Sequence, residues 1–245
     1  SLILMYNAFA HIDNIHDILF GIKSLLNKST PSIFRLEVQY AKSLVDNLLI
    51  PSIFHEHISH HSLVSLSRFF SMHDLVIIDA ETNPIQHGSL VVTATLNCHK
   101  SSFPVSQSLR ELLKSESESG SIYLPKLKEL LPRLERRRAL VKDYLREVKR
   151  TNNGKSLIVG YGAARSASSI LTQLEISELL TVVYDSDSNK HGKYISGEGI
   201  QIMPTEKIID DKPDCIVILA WVHSEFIINK LSSYISNGGK VLSLF

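Results

Sequence analysis

Ile158-Val159-Gly160-Tyr161-Gly162-Ala163-Ala164-Arg165-Ser166 is the stretch whose reading decides the fold. The apolar run at 155–159 predicts a strand, residues 160–163 a turn, and Ile170, Leu171 and Leu174 place one apolar face on a helix over 164–174. At Gly160 and Gly162 the missing side chains let a backbone approach a phosphate, and the N-terminus of the following helix favours negative charge. A second apolar run at 180–184 ends in Asp185, 23 residues after Gly162, where a ribose-binding acid sits in a dinucleotide fold. Arg165 occupies the place of that fingerprint's third glycine. This weakens a pyrophosphate-bridged dinucleotide and leaves a nucleotide diphosphate, for which a guanidinium is a fitting partner. A tight strand-to-helix turn with no ligand is the competing reading.

Outward from that stretch, strands are expected at 200–203, 215–220 and 240–245, with helices near 205–209 and over 224–234. Strands separated by helices predict a parallel sheet. Upstream, residues 124–149 form a basic helical segment, and the run of alternating Ser and Glu at 115–121 reads as a low-complexity turn or linker. Further back, strands at 2–6 and 32–38 alternate with helical patterns beginning at Asp13 and at Ala41. After a turn at 27–31 and the histidine-rich residues 55–61, a helix at 63–71 precedes strands at 75–80 and 89–96. The sequence therefore divides into a half-domain over 1–96, a helical connector over 97–152 and a small Rossmann-like domain over 153–245, whose first residues include Asn153 and Gly154.

The chain has 245 residues with 26 basic and 25 acidic side chains, a net charge of +1. So balanced a charge offers no global field for nucleic acid. Arg136, Arg137 and Arg138 are interleaved with Glu135, Asp143 and Glu147 and read as a solvated helix face. No apolar run approaches the ~20 residues of a membrane span. The two cysteines, Cys98 and Cys215, are too far apart in sequence for a paired-thiol zinc or redox motif, and a reducing compartment such as the cytoplasm is expected.

Four of the eleven histidines fall within residues 55–61. Imidazole is the side chain best placed to take a proton near neutral pH, and a flanking carboxylate such as Glu56 can orient it. His55 and His57 with His11 or His87 are the alternative as metal ligands, and ordinary surface histidines are the third reading. No glycine precedes Gly21, and none lies between Gly21 and Gly88. The first half-domain thus carries no glycine-rich cofactor loop, and one serving it is expected upstream of Ser1.

Together these segments resemble the sugar C-methyltransferases, which use S-adenosylmethionine to methylate a carbon of a nucleotide-linked keto-deoxysugar. The matching stretches are Asn7-Ala8-Phe9-Ala10-His11-Ile12-Asp13-Asn14 with His16-Asp17, then Phe54-His55-Glu56-His57-Ile58-Ser59, then His87-Gly88-Ser89-Leu90. They continue with Gly160-Tyr161-Gly162-Ala163, with Asp185, Lys190, Gly192, Tyr194 and Gly197, and with Ile218-Leu219-Ala220-Trp221. Phe54 stands where the family usually has a tyrosine.

The resemblance implies an α/β chain comprising the second half of a Rossmann-like methyltransferase domain, a helical connector and a C-terminal Rossmann-like parallel-sheet domain that binds the nucleotide sugar. It implies His57 as the base, with His55, Glu56 and His11 beside it. Gly160, Tyr161, Gly162, Ala163, Arg165, Asp185, Lys190, Tyr194 and Trp221 are the implied substrate-binding residues. It places the adenosylmethionine loop, and a cysteine-rich zinc module, upstream of this chain, so no metal ligand is expected here. A non-catalytic module that binds a nucleotide or nucleotide sugar is the alternative, and a metal-dependent hydrolase using His55 and His57 a third.

Overall fold

A computed structural model describes residues 1–26, 28–84, 88–151 and 155–244, without the side chains of residues 119–123. Asn27, His87, Asn153, Gly154 and Phe245, used above, lie outside the described residues. The chain forms two compact units, residues 1–49 with 55–130, and residues 50–54 with 131–245.

In unit 1, β1 (Leu2–Tyr6), α1 (Ile15–Leu25), β2 (Ile33–Gln39), α2 (Ala41–Asn47), α3 (Leu63–Ser71), β3 (Leu75–Asn83), β4 (Ser89–Leu96) and α4 (Gln107–Lys128) follow in order. The sheet order is β1-β2-β4-β3. Strands β1 and β2 are parallel because a helix crosses between them, whereas β4 runs antiparallel to both neighbours. All eight residues of β4 are buried, as a central strand covered on both faces requires. Its Leu90, Val92 and Ala94 meet Phe34 and Leu36 of β2 and Leu66 and Phe70 of α3 in one core. Each helix start of unit 1 is capped where the sequence offers a short polar side chain. Asn14 Oδ1 accepts from the Asp17 N–H at 3.3 Å, Ser62 and Ser65 bond reciprocally, and Ser106 Oγ accepts from the Leu109 N–H at 3.1 Å.

Unit 2 contains α5 (Leu130–Thr151), β5 (Ile158–Tyr161), α6 (Ala167–Leu174), β6 (Val183–Asp185), β7 (Ile202–Pro204), α7 (Ile208–Asp211), β8 (Cys215–Ile218), α8 (Ser224–Lys230), α9 (Ser232–Ser236) and β9 (Lys240–Ser243). The five strands are all parallel, in the order β7-β6-β5-β8-β9. That is a doubly wound arrangement in which the chain reverses direction across the sheet between β5 and β8. The buried face of α5 presents Leu134, Val141, Leu145 and Val148. Arg138 Nε donates to the Gln173 carbonyl at 2.9 Å, satisfying an orphan acceptor near the end of α6.

The α/β class and the parallel C-terminal sheet follow the alternating pattern of the sequence, but three local expectations are corrected. Residues 115–121 are helix, not turn: α4 runs through them, because Glu is a good helix former and Leu109, Leu112 and Leu113 dock the preceding turns on the unit 1 core. The single segment expected at 124–149 is two helices, α4 and α5, which meet at Glu129 four residues after Pro125. Gly160 and Tyr161 lie inside β5, so the turn begins at Gly162 rather than at Gly160. Among the described residues no helix is long and apolar enough to cross a membrane.

Candidate active site

Register places the ends of three unit 1 strands on one edge of the sheet. Tyr6 pairs with Glu37, and Gln39 and Asn83 both pair with Ser89. The Glu37 carboxylate, buried there, accepts from Ser89 Oγ at 2.5 Å and Asn83 Nδ2 at 3.2 Å. Its backbone carbonyl accepts from the Asn7 N–H at 3.1 Å. Asn7 has φ 52°, a left-handed conformation that asparagine tolerates, and it turns the chain out of β1 into the short helical turn Phe9–His11. Phe9 and Ala10 are buried and hold that turn down while His11 is exposed.

The histidine segment is tied to this turn at two points. The Ile58 N–H donates to the Ala10 carbonyl at 2.9 Å, and His11 Nδ1 is 2.8 Å from the Glu56 carbonyl. A carbonyl oxygen only accepts, so Nδ1 of His11 carries the proton and a neutral ring keeps its lone pair on Nε2. The His11 and His57 ring centroids are 4.9 Å apart, and those of His57 and His60 are 6.0 Å apart, edge to face. Partial burial and the neighbouring His57 lower the His60 pKa below its usual value.

At the end of the segment the His61 carbonyl accepts from the Ala41 N–H at 2.9 Å, and its ring packs on Phe9 with a centroid distance of 5.2 Å. Burial, reinforced by His60, lowers the His61 pKa to about 4. Glu116 of α4 then secures the start of α3. Its carboxylate accepts from the N–H groups of Leu63 at 2.7 Å and Val64 at 2.9 Å and from the Tyr40 hydroxyl at 2.7 Å. A negative charge on the first N–H groups of a helix is favourably placed.

The structure thus brings His11 and His57 together, with the Glu56 backbone as the link, while His55 is exposed and Glu56 half-buried. His60, His61 and Glu116 also shape the site. His60 and His61 were visible in the histidine cluster without a role, whereas nothing in a Ser-Glu run signals that Glu116 reaches a helix end more than fifty positions away. Among the described residues no three His, Cys, Asp or Glu side chains are grouped to hold a metal ion.

In unit 2, Gly162 follows β5 at the point where the sheet order reverses. Its φ is +94°, and a Cβ there would lie 2.3 Å from the Ala220 Cβ, so only glycine fits between the ends of β5 and β8. Gly160 serves packing instead, because a Cβ in mid-strand would meet Leu219 at 2.8 Å and Val183 at 2.9 Å. Asp185 holds the turn: its carboxylate accepts from the Ala163 N–H at 2.6 Å and the Asp187 N–H at 2.8 Å, and Lys190 Nζ lies 3.3 Å away. His191 Nε2 donates to the Asp185 carbonyl at 2.8 Å.

Gly162, Ala163, Asp185 and Lys190 therefore form one cluster. Trp221 is buried just beyond β8, and Arg165 is exposed ahead of α6. Tyr161 is buried in β5, and Tyr194 is exposed on a loop bridged to Gln201. The turn lies at the topological switch of the sheet, the place where ligands bind in open parallel sheets generally.

Residues 84–245 match the family model described as C-methyltransferase C-terminal domain. C-methyltransferase NovU of Streptomyces niveus is 32% identical over 235 residues, covering 96% of this chain and 54% of NovU. The chain spans about half the length of that relative. The family match takes in more than half of the chain, including the end of the β3–β4 hairpin and all the described strands of unit 2, and the chain belongs to the C-methyltransferase family through its C-terminal domain.

Proposed function

We propose that this chain is the C-terminal part of an enzyme that transfers a methyl group from S-adenosylmethionine to the carbon beside the ketone of a nucleotide-linked keto-deoxysugar. One observation carries the reading: two distant segments are laced so that the His11 and His57 rings sit 4.9 Å apart at the edge where β1 and β2 end. A carbonyl makes the hydrogen on its neighbouring carbon acidic, and a neutral imidazole can accept it. In this reading His57 takes that proton, leaving an enolate whose carbon is the nucleophile. His11, with its tautomer set by the Glu56 carbonyl, stands beside the reacting centre with Nε2 as a hydrogen-bond acceptor. His55 and Glu56 shape the same segment.

Adenosylmethionine, when bound, supplies an electrophilic methyl group. The turns after β1 and β2 contain no glycine, and the described residues of unit 1 offer no glycine-rich cradle for that cofactor. What this chain contributes is the proton acceptor and, in unit 2, the sugar-nucleotide subsite. Arg165, ahead of α6, receives the diphosphate there, because the Gly162 and Ala163 N–H groups are already given to the Tyr184 carbonyl and the Asp185 carboxylate, and Tyr161, Asp185, Lys190, Tyr194 and Trp221 build the surrounding wall.

The test is His57→Ala in the enzyme assayed with a nucleotide-linked keto-sugar and labelled methyl donor. A positioned base contributes roughly 10²- to 10⁴-fold, so transfer is expected to fall by about that factor while nucleotide-sugar binding persists. Undiminished transfer removes His57 from the role. The second reading, a module that only binds a nucleotide or nucleotide sugar, is favoured by the doubly wound sheet and the Gly162 turn of unit 2. Nucleoside diphosphate binding with no methyl transfer by the intact protein would select it.

A further inference from the structure

We infer that His61 is the positioning residue of the histidine site: its ring packs on Phe9 and bonds Ser59, holding residues 55–61 against the turn that carries His11. This deepens the reading of His57 as the base and rests on it. The ring is buried, its centroid is 5.2 Å from that of Phe9, and Nε2 is 2.9 Å from Ser59 Oγ. Phe9 is fully buried and lies two residues before His11, so pressure on its ring is transmitted to the turn. On the main chain His61 bridges to Tyr40 and accepts from Ala41, which fixes the exit of the segment to the end of β2. The fixed points are therefore the Ala10 and Glu56 carbonyls at one end and the His61 ring and carbonyl at the other. His57 and His60 lie between them.

A neutral ring is what this packing accepts. Around it stand Phe9 from the His11 turn, Tyr40 from the end of β2, and Ser59 and His60 from its own segment. The carboxylate of Glu116, from α4, is engaged by Tyr40, Leu63 and Val64. An imidazolium at His61 would face another imidazole at His60, and burial already disfavours its charge. Protonation is expected to eject the ring from Phe9 and loosen the His11–His57 pair.

The experiment uses the chain with isotope-labelled histidines and reads two magnetic-resonance signals: the through-space contact between the His11 and His57 rings, and the bonded His11 Nδ1 proton. Core methyl signals from Leu90 and Val92 report folding of the sheet. His61→Ala is expected to abolish both histidine signals with the methyl signals retained. His61→Phe, which keeps the packing and removes the titration, is expected to preserve them at neutral pH and to retain them at about pH 3.5, below the His61 pKa of about 4, where the wild-type protein loses them. Persistence of both signals in His61→Ala, or the same acid loss in His61→Phe, overturns the inference. Should His61→Ala lose the sheet methyl signals as well, the acid response of His61→Phe alone decides. The His57→Ala transfer assay fails or succeeds independently of these signals, so an error in the base assignment is distinguishable from an error in this one.

Discussion

The two units build their candidate sites by opposite means. Unit 2 uses local chemistry, a glycine that lets two strand ends approach and one carboxylate, Asp185, that bonds the adjacent turn backbone. Unit 1 uses no glycine at its site turn. It joins the His11 turn, the histidine segment, the end of β2 and α4 through bonds between residues 20 to 76 positions apart. Local devices fail individually and severely, whereas a distributed lacing fails in steps. That difference can be tested site by site.

Gly162→Ala has the largest expected effect. Left-handed φ costs about 1–3 kcal/mol for a non-glycine residue, and the clash with Ala220 adds about 1–3 kcal/mol more, so denaturant unfolding of unit 2 is expected to shift by about 2–6 kcal/mol. Glu116→Ala comes next. It strips two helix-start N–H groups and the Tyr40 hydroxyl of a charged acceptor, for an expected loss of about 2–3 kcal/mol in unit 1, with Glu116→Gln recovering part of it. An unchanged unfolding midpoint in Glu116→Ala would dissolve the contrast between the units.

Acid titration of unit 1 is the third. The His61 pKa of about 4 lies below the ordinary 6.5, so between these values the unfolded chain binds more protons. The contribution to stability is therefore complete above about pH 6.5 and lost as pH falls towards 4. It is worth at most about 3 kcal/mol, nearer about 2 kcal/mol with solvent reaching part of the ring. His61→Phe is expected to flatten that stretch of the stability profile. The smallest effect belongs to Gly21, in mid-helix α1 with nothing within 4 Å of a built Cβ. Gly21→Ala is expected to stabilise unit 1 by about 0.5–1 kcal/mol in the same unfolding measurement, the reverse of Gly162→Ala.

The contrast also explains what was legible in the sequence. Strand β4 and helix α3 could be read residue for residue because their apolar patterns have periods that burial enforces. The Gly162 turn and the place of Asp185 at the end of β6 were legible because a glycine and an acid that close apolar runs are local signals. Gly160 was not separable from Gly162 on sequence, since a packing glycine inside a strand and a turn glycine two residues later look alike. Only the approach of Leu219 and Val183 distinguishes them. Helix α4 was hidden by its Ser-Glu composition, which is neutral between a linker and a solvated helix until Leu109 finds the core. The pairing of His11 with His57 rests on the Ala10 and Glu56 carbonyls, which every residue type carries, so no spacing could announce it.

The central claim is that an imidazole at position 57 removes a proton from carbon beside a carbonyl. Its most direct measurement is exchange of that proton with deuterated water in the nucleotide-linked keto-sugar, followed by magnetic resonance with the enzyme present and methyl donor withheld. The account predicts enzyme-dependent exchange in the wild type that falls by at least about 10²-fold in His57→Ala. Equal exchange by the two proteins would contradict it.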